Sequence, residues 1–255
     1  MKAYLNMAPS QTLKWMESGK MPSQQNVEIE GTEPYIVGGH TASGYWVDTR
    51  RATTIPGLYA AGDVAGGCPQ KYVTGALAEG EIAGEAMVDF LKTASEPAAV
   101  AEETVQAHIA EAEKFLQEKP AQFTTEQLEE AMQTVMDAYA GGIKTNYRFN
   151  EKQLAIADEK IVQLMQLSDT LHAADFQELM YIYELRERLV VCRSVIAHLG
   201  ARKETRWHSF AENLDYPQKD DANWKCYVNS RLKNGKIQVI LRDLVTGGQT
   251  YEHSH

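Results

Sequence analysis

The sequence predicts an α+β protein: a strand–loop–helix segment, then an antiparallel bundle of three or four helices, then a short C-terminal β-hairpin. Three observations carry this expectation. Between Gly57 and Leu91 a short apolar run ends in an acid and glycines, then gives way to a helix dense in alanine and glycine. From Val100 to about Gly200 apolar residues recur at spacings of three and four. Near the C-terminus, Asn234-Gly235 separates two strand-like runs, a strong hairpin signal.

The 255 residues suffice for one large domain or two small ones, and the 44% hydrophobic content supports a real core. A formal net charge of −10 argues against a nucleic-acid binder and against attachment to anionic lipid by charge. No apolar run approaches the ~20 residues that span a bilayer, and MKAYLNMAPSQ lacks a signal-peptide core. Cys68, Cys192 and Cys226 are too few and too far apart for a disulfide framework or a metal-ligand spacing. The expectation is a reduced, cytoplasmic protein.

Residues 1–30 read as a short helix over 10–18, with Ser10 as N-cap and Leu13, Trp15 and Met16 as its apolar side. A polar linker follows, then a strand in which Val27 and Ile29 alternate with acids. Residues 31–95 open with Glu33-Pro34-Tyr35-Ile36-Val37-Gly38-Gly39-His40. Tyr45-Trp46-Val47 reads as a strand and Asp48-Thr49-Arg50-Arg51 as a turn, its two arginines a solvated corner. Pro56-Gly57 turns the chain into Leu58-Tyr59-Ala60-Ala61, a strand expected to be buried on both faces. Gly62-Asp63 ends it, Gly66 and Gly67 loosen the loop, and a helix runs from about Thr74 to Leu91. Such an order brings the backbone N–H groups of a helix N-terminus close to a ligand.

Residues 96–200 form the helical bundle. Thr124-Thr125-Glu126-Gln127 matches a capping box, and Leu128, Met132, Val135, Met136 and Tyr139 make one apolar stripe. Gly141-Gly142 stops that helix. Asn150 caps the next, and a further helix starts near Thr170 or Ala173. The stripes are core filler, and the glutamates from Glu102 to Glu113 a solvated face. In residues 201–255, Glu204-Thr205-Arg206 precedes the strands 225–230 and 237–240. Arg206 offers a bidentate fork for which Asp220 and Asp221 are candidate partners, tying the bundle to the earlier segment.

GLYAAGD, its glycine loop and LAEG-x-IAG resemble the second FAD-binding segment of the fumarate reductase/succinate dehydrogenase flavoprotein family. Glu204-Thr205-Arg206, and Asp215-Tyr216-Pro217-Gln218-Lys219-Asp220-Asp221-Ala222-Asn223-Trp224, resemble its C-terminal E-[S/T]-R and D-[Y/F]-P-x-[R/K]-D-D-x-x-W. The resemblance implies an FAD site that includes Gly38, Gly39, Gly62, Asp63, Thr74, Gly75, Ala76 and Leu77. Asp63 would hold a ribose or ribityl hydroxyl, and the helix that follows would aim its N-terminus at the flavin's pyrimidine edge. It further implies that Lys71 and His40 contact a small anionic substrate. Lys71 stands where many members carry a substrate-binding Arg, Thr74-Gly75-Ala76 replaces Ser-Asn-Ser, and Pro34 replaces the His of His-Tyr-x-Met-Gly-Gly, with His40 just after the glycine pair. These departures resemble the adenylylsulfate reductase branch.

On this resemblance, residues 1–30 are the end of a capping domain, 31–95 the C-terminal segment of the FAD-binding domain, 96–200 the helical domain and 201–255 a docking segment with a hairpin. No G-x-G-x-x-G is present to hold a pyrophosphate. The chain is therefore expected to be the C-terminal portion of a flavoprotein, with an incomplete FAD site. The implied partners are the missing dinucleotide-binding half and an iron–sulfur subunit. Three functions follow: flavin N5 chemistry that converts adenylylsulfate to sulfite and AMP, hydride transfer with a dicarboxylate, or, for the chain by itself, a non-catalytic helical fragment.

Overall fold

A computed structural model describes residues 15–19, 24, 43–67, 73–96, 99–117, 119–206 and 211–244. The chain divides into two units, Met1–Tyr35 and Ile36–His255. In the first, residues 15–17 are helical and Trp15 is buried. The rest of the helix expected over 10–18 is outside the described residues except for the turn at 18–19, and the strand at Val27 and Ile29 is outside them altogether.

In the second unit, residues 43–67 are turns and single bridges rather than strands. Tyr45 bridges Ala65 in parallel, and Ala52 bridges Tyr59 antiparallel. Sequence reading expects strands at 45–47 and 58–61; the structure corrects both. A strand buried on both faces needs neighbours along both edges. Among the described residues only 51–53 runs beside 58–61, along one edge, and Leu58 is exposed while Ala60 is buried. The order also includes a 3₁₀ turn, Gly62–Val64, before helix α1, Val73–Thr93.

Helix α2, Glu102–Phe115, is exposed over most of its length and anchored at its C-terminal end, where Phe115 is fully buried and meets Tyr183 edge-on at 6.1 Å. Helices α3 (Thr125–Tyr139), α4 (Glu151–Ser168) and α5 (Phe176–Ala201) pack on one another around one apolar core. Leu128, Leu154, Ile161, Ile182, Leu185 and Leu189 are among its members.

The caps account for the boundaries. Thr124 and Gln127 form a reciprocal capping box at the start of α3. Gly141 ends that helix at φ +79°, and a Cβ on Gly142 would lie 2.4 Å from the Asp137 Cα, so the turn demands glycine. Asn150 accepts the Gln153 amide at α4, and Asp175 accepts the Glu178 amide at α5. That last helix therefore begins a few residues later than the sequence suggests. Residues 169–175 instead bury Leu171 and Ala173, whose amide bonds the Phe115 carbonyl at 2.8 Å.

Two short strands, β1 (Arg148–Phe149) and β2 (Glu212–Asn213), pair in parallel. The C-terminal hairpin joins β3 (Cys226–Lys233) to β4 (Lys236–Asp243), longer than expected on both arms. Asn234 and Gly235 both take positive φ, 51° and 71°, as a type I′ turn requires. The hairpin packs on α5, with the Ser194 and Ser230 hydroxyls 2.9 Å apart. The Arg242 guanidinium lies 3.8 Å from the Trp46 ring centroid and carries the hairpin back to segment 43–67. Among the described residues no helix is long and apolar enough to cross a membrane.

Candidate functional site

The glycine corner before α1 is built outward from a buried acid. Asp48 accepts the amides of Arg50 (2.8 Å) and Ala52 (2.9 Å) and folds the turn between them. The turn holds Arg51 in the left-handed region, φ +66°, an uncommon state for a side-chain-bearing residue. Its backbone oxygen accepts the Ala60 amide, and its guanidinium reaches Glu79 on α1 at 3.0 Å. The other Glu79 oxygen accepts the Gly62 amide at 3.0 Å. Both side chains of this ion pair are largely buried, 19% and 7% exposed, so the pair is not a loosely hydrated surface bridge. The solvated arginine corner of the sequence reading is thereby corrected: Arg51 faces inward to Glu79, and Arg50 pairs with Asp89 at 2.6 Å.

Gly62 sits at φ +70°, and a Cβ there would come within 3.1 Å of the Ala76 Cβ. The corner thus lies against the first described turn of α1. Behind it, Tyr45 donates to the Val64 carbonyl (2.7 Å) and accepts from the Gly66 amide (2.8 Å). A Cβ on Gly44 would fall 2.5 Å from backbone atoms of Ala65 and Gly66, so only glycine permits this approach.

Gly62, Asp63, Thr74, Gly75, Ala76 and Leu77 therefore share one locality. Asp63, Thr74 and Leu77 are exposed, and no acid occupies the first described turn of α1. An exposed carboxylate beside the positive end of a helix, with no acid in its first turn, suits a ligand offering hydroxyls to one and partial negative charge to the other. These donors and acceptors fit FAD. Gly38, Gly39, His40 and Lys71 lie outside the described residues, as does Cys68. Sequence reasoning passed over Glu79. Its signal was spacing: the buried residues of α1 are Glu79, Ala83 and Ala86, an acid on the same helical stripe as two core alanines.

A second cluster surrounds Glu204, whose side chain is fully buried. It accepts from Arg202 at 2.7 Å, from Arg206 at 2.8 and 3.0 Å, and from the Asp220 amide at 2.8 Å. Burial pushes its carboxyl up, but these donors outweigh burial and hold it below the usual carboxylate range. Arg206 also pairs with Asp221 at 2.7 Å, while Asp220 caps helix α6 (Asp221–Trp224). Among the described residues Arg206 bonds Glu204, Asp221 and the Trp224 carbonyl, all in the C-terminal segment, so it braces that segment internally.

Residues 129–250 match the family model described as fumarate reductase flavoprotein C-term. The chain is 28% identical over 275 aligned positions to adenylylsulfate reductase subunit alpha of Megalodesulfovibrio gigas, covering 92% of this chain and 40% of that protein. The structure of adenylylsulfate reductase from Archaeoglobus fulgidus superposes with a TM-score of 0.85 at 32% identity, over 99% of this chain and 44% of that one. The E. coli quinol fumarate reductase flavoprotein shares the fold at 20% identity and a TM-score of 0.67, over 82% of this chain and 37% of that one. The chain thus spans less than half the length of the relatives it matches.

Proposed function

We propose that this chain is the C-terminal part of a flavoprotein subunit of the fumarate reductase/succinate dehydrogenase kind, and that it serves an FAD-dependent oxidoreductase most like adenylylsulfate reductase. The observation that carries the proposal is the juxtaposition of Gly62-Asp63 with the first described turn of α1, in a chain that follows an adenylylsulfate reductase over 99% of its length. The dinucleotide-binding portion completes the site, and an iron–sulfur subunit delivers electrons in a reducing, cytoplasmic setting.

Within this reading Asp63 accepts a hydrogen bond from a cofactor hydroxyl. The N-terminal end of α1, around Thr74–Leu77, carries the positive end of the helix dipole and favours negative charge on the ring edge it faces. Bound FAD supplies the two-electron chemistry, which protein groups orient and tune. Gly38 and Gly39 allow close backbone approach. Lys71 acts as a point charge toward the oxygens of the anionic substrate. His40 adds a hydrogen bond to the same anion. Adenylylsulfate takes up two electrons, its sulfur leaves as sulfite and AMP is released.

The alternative substrate is a dicarboxylate, which the match to the fumarate reductase C-terminal family favours. Pro34 and Lys71 in place of His and Arg count against it. The test is a titration of the flavin-loaded complex, assembled with the dinucleotide-binding portion. Sulfite should bleach the visible flavin band, and adenylylsulfate, not fumarate, should reoxidise the reduced enzyme. Fumarate-dependent reoxidation without a sulfite response would overturn the assignment.

A further inference from the structure

We propose that Glu79 is a positioning residue for the cofactor loop: its buried carboxylate fixes the Gly62-Asp63 corner by accepting from two donors at once. The inference rests on the reading of this region as part of an FAD site. The two donors come from opposite sides of the corner. One is the Gly62 amide, one residue before Asp63; the other is the guanidinium of Arg51, itself held in a left-handed conformation by the Asp48 turn. Among the described residues segment 43–67 has single bridges rather than a continuous ladder, so the Glu79 tether helps set its position against α1.

The tether requires a carboxylate. An amide of the same shape has one acceptor oxygen and one NH2 group. With Glu79→Gln, whichever way the amide turns, its NH2 faces a donor, either Gly62 N–H or Arg51. A donor-against-donor contact in a buried site is costly, and the loop can relieve it by swinging away. Removing the second donor removes the conflict. In Arg51→Met with Glu79→Gln, the glutamine oxygen can take the Gly62 amide and its NH2 can turn toward the space the guanidinium leaves. A residue that matters only as filler would not show this pattern, because the double variant is the more heavily altered of the two.

The first measurement is amide hydrogen exchange of this chain, followed residue by residue by NMR. Glu79→Gln should speed exchange at Gly62 by about tenfold, the loss of one buried hydrogen bond, while the α3–α5 amides stay unchanged. Arg51→Met with Glu79→Gln should return Gly62 to within about threefold of the parent. The second measurement is FAD affinity of the assembled subunit, which should weaken in Glu79→Gln and recover in the double variant, with Asp63 intact throughout. Unchanged Gly62 exchange in Glu79→Gln, or a double variant that exchanges faster than the single one, would overturn the proposal. So would a changed exchange rate with unchanged FAD affinity. If the unmodified assembly fails to bind FAD at all, the flavin reading falls, and the exchange pattern by itself decides whether Glu79 sets the corner.

Discussion

Helices α1 and α5 are of similar length and belong to one unit, yet they bury opposite kinds of side chain. Helix α5 sinks Leu179, Ile182, Leu185, Leu189 and Ile196 into the bundle. Helix α1 buries Glu79, Ala83 and Ala86, and leaves Val73, Leu77, Val88 and Leu91 more than half exposed. Helix α5 is held by apolar burial, non-directional and tolerant of detail. Helix α1 is held by hydrogen bonds and an ion pair, directional and intolerant of a wrong atom. Stability is concentrated in one region and the candidate chemistry in the other, with Trp46–Arg242 and the hairpin between them.

The largest effects should fall in the bundle. Leu185 is fully buried, so Leu185→Ala should cost about 3–5 kcal/mol, transfer plus cavity, in chemical denaturation of this chain. Next is Glu204→Gln, which leaves two guanidinium groups facing a neutral amide. Because Arg202 and Arg206 are partly solvated, about 3 kcal/mol is expected, toward the low end for breaking a buried pair. This variant also carries a pH signature. The Glu204 carboxyl is held low in the fold, so its stabilising contribution is complete above the unfolded glutamate value of about 4.3. The contribution declines as pH falls below that value and through the lower folded one. The stability gap between parent and Glu204→Gln should therefore narrow on acidification below about pH 4.3. A gap that is flat with pH would remove Glu204 from its central place in the C-terminal cluster.

These two cases mark what the sequence made legible. Periodicity and caps are local signals, so the bundle could be read: Thr124 with Gln127, Asn150, Gly141-Gly142 and Asn234-Gly235 stand where their chemistry predicts. The locality of Gly62, Asp63 and Thr74–Leu77 was also legible, because they lie close together in the sequence. Pairings across longer separations were not. Nothing local distinguishes Arg51, which turns inward, from Arg50, which lies at the surface against Asp89. Strand-like composition at 58–61 misled for the same reason, since a strand depends on neighbours that composition does not reveal.

A smaller effect separates local from tertiary stabilisation inside the bundle itself. Thr124→Ala removes the side-chain half of the capping box at α3, the hydroxyl that accepts the Gln127 amide, and leaves the backbone amide of residue 124 that donates to the Gln127 side chain. About 1 kcal/mol should be lost in denaturant titration.

The smallest effect on the chain itself should come from Leu77→Ser on α1. Leu77 is 69% exposed, so little apolar burial is lost, and the chain's own stability should shift by less than about 0.5 kcal/mol. Beside it Val73 and Thr74 are also exposed, at the edge the proposal assigns to cofactor and dinucleotide-binding portion. The same substitution should then weaken assembly with that portion, read as a raised Kd in a titration with FAD present. Exposed apolar residues on a monomer surface often carry no function. A Leu77→Ser chain that melts like its parent but assembles less tightly distinguishes an interface from an ordinary surface leucine. Equal assembly by both chains would mean that α1, for all its exposed side chains, meets its partners only through the glycine corner that Glu79 and Arg51 hold.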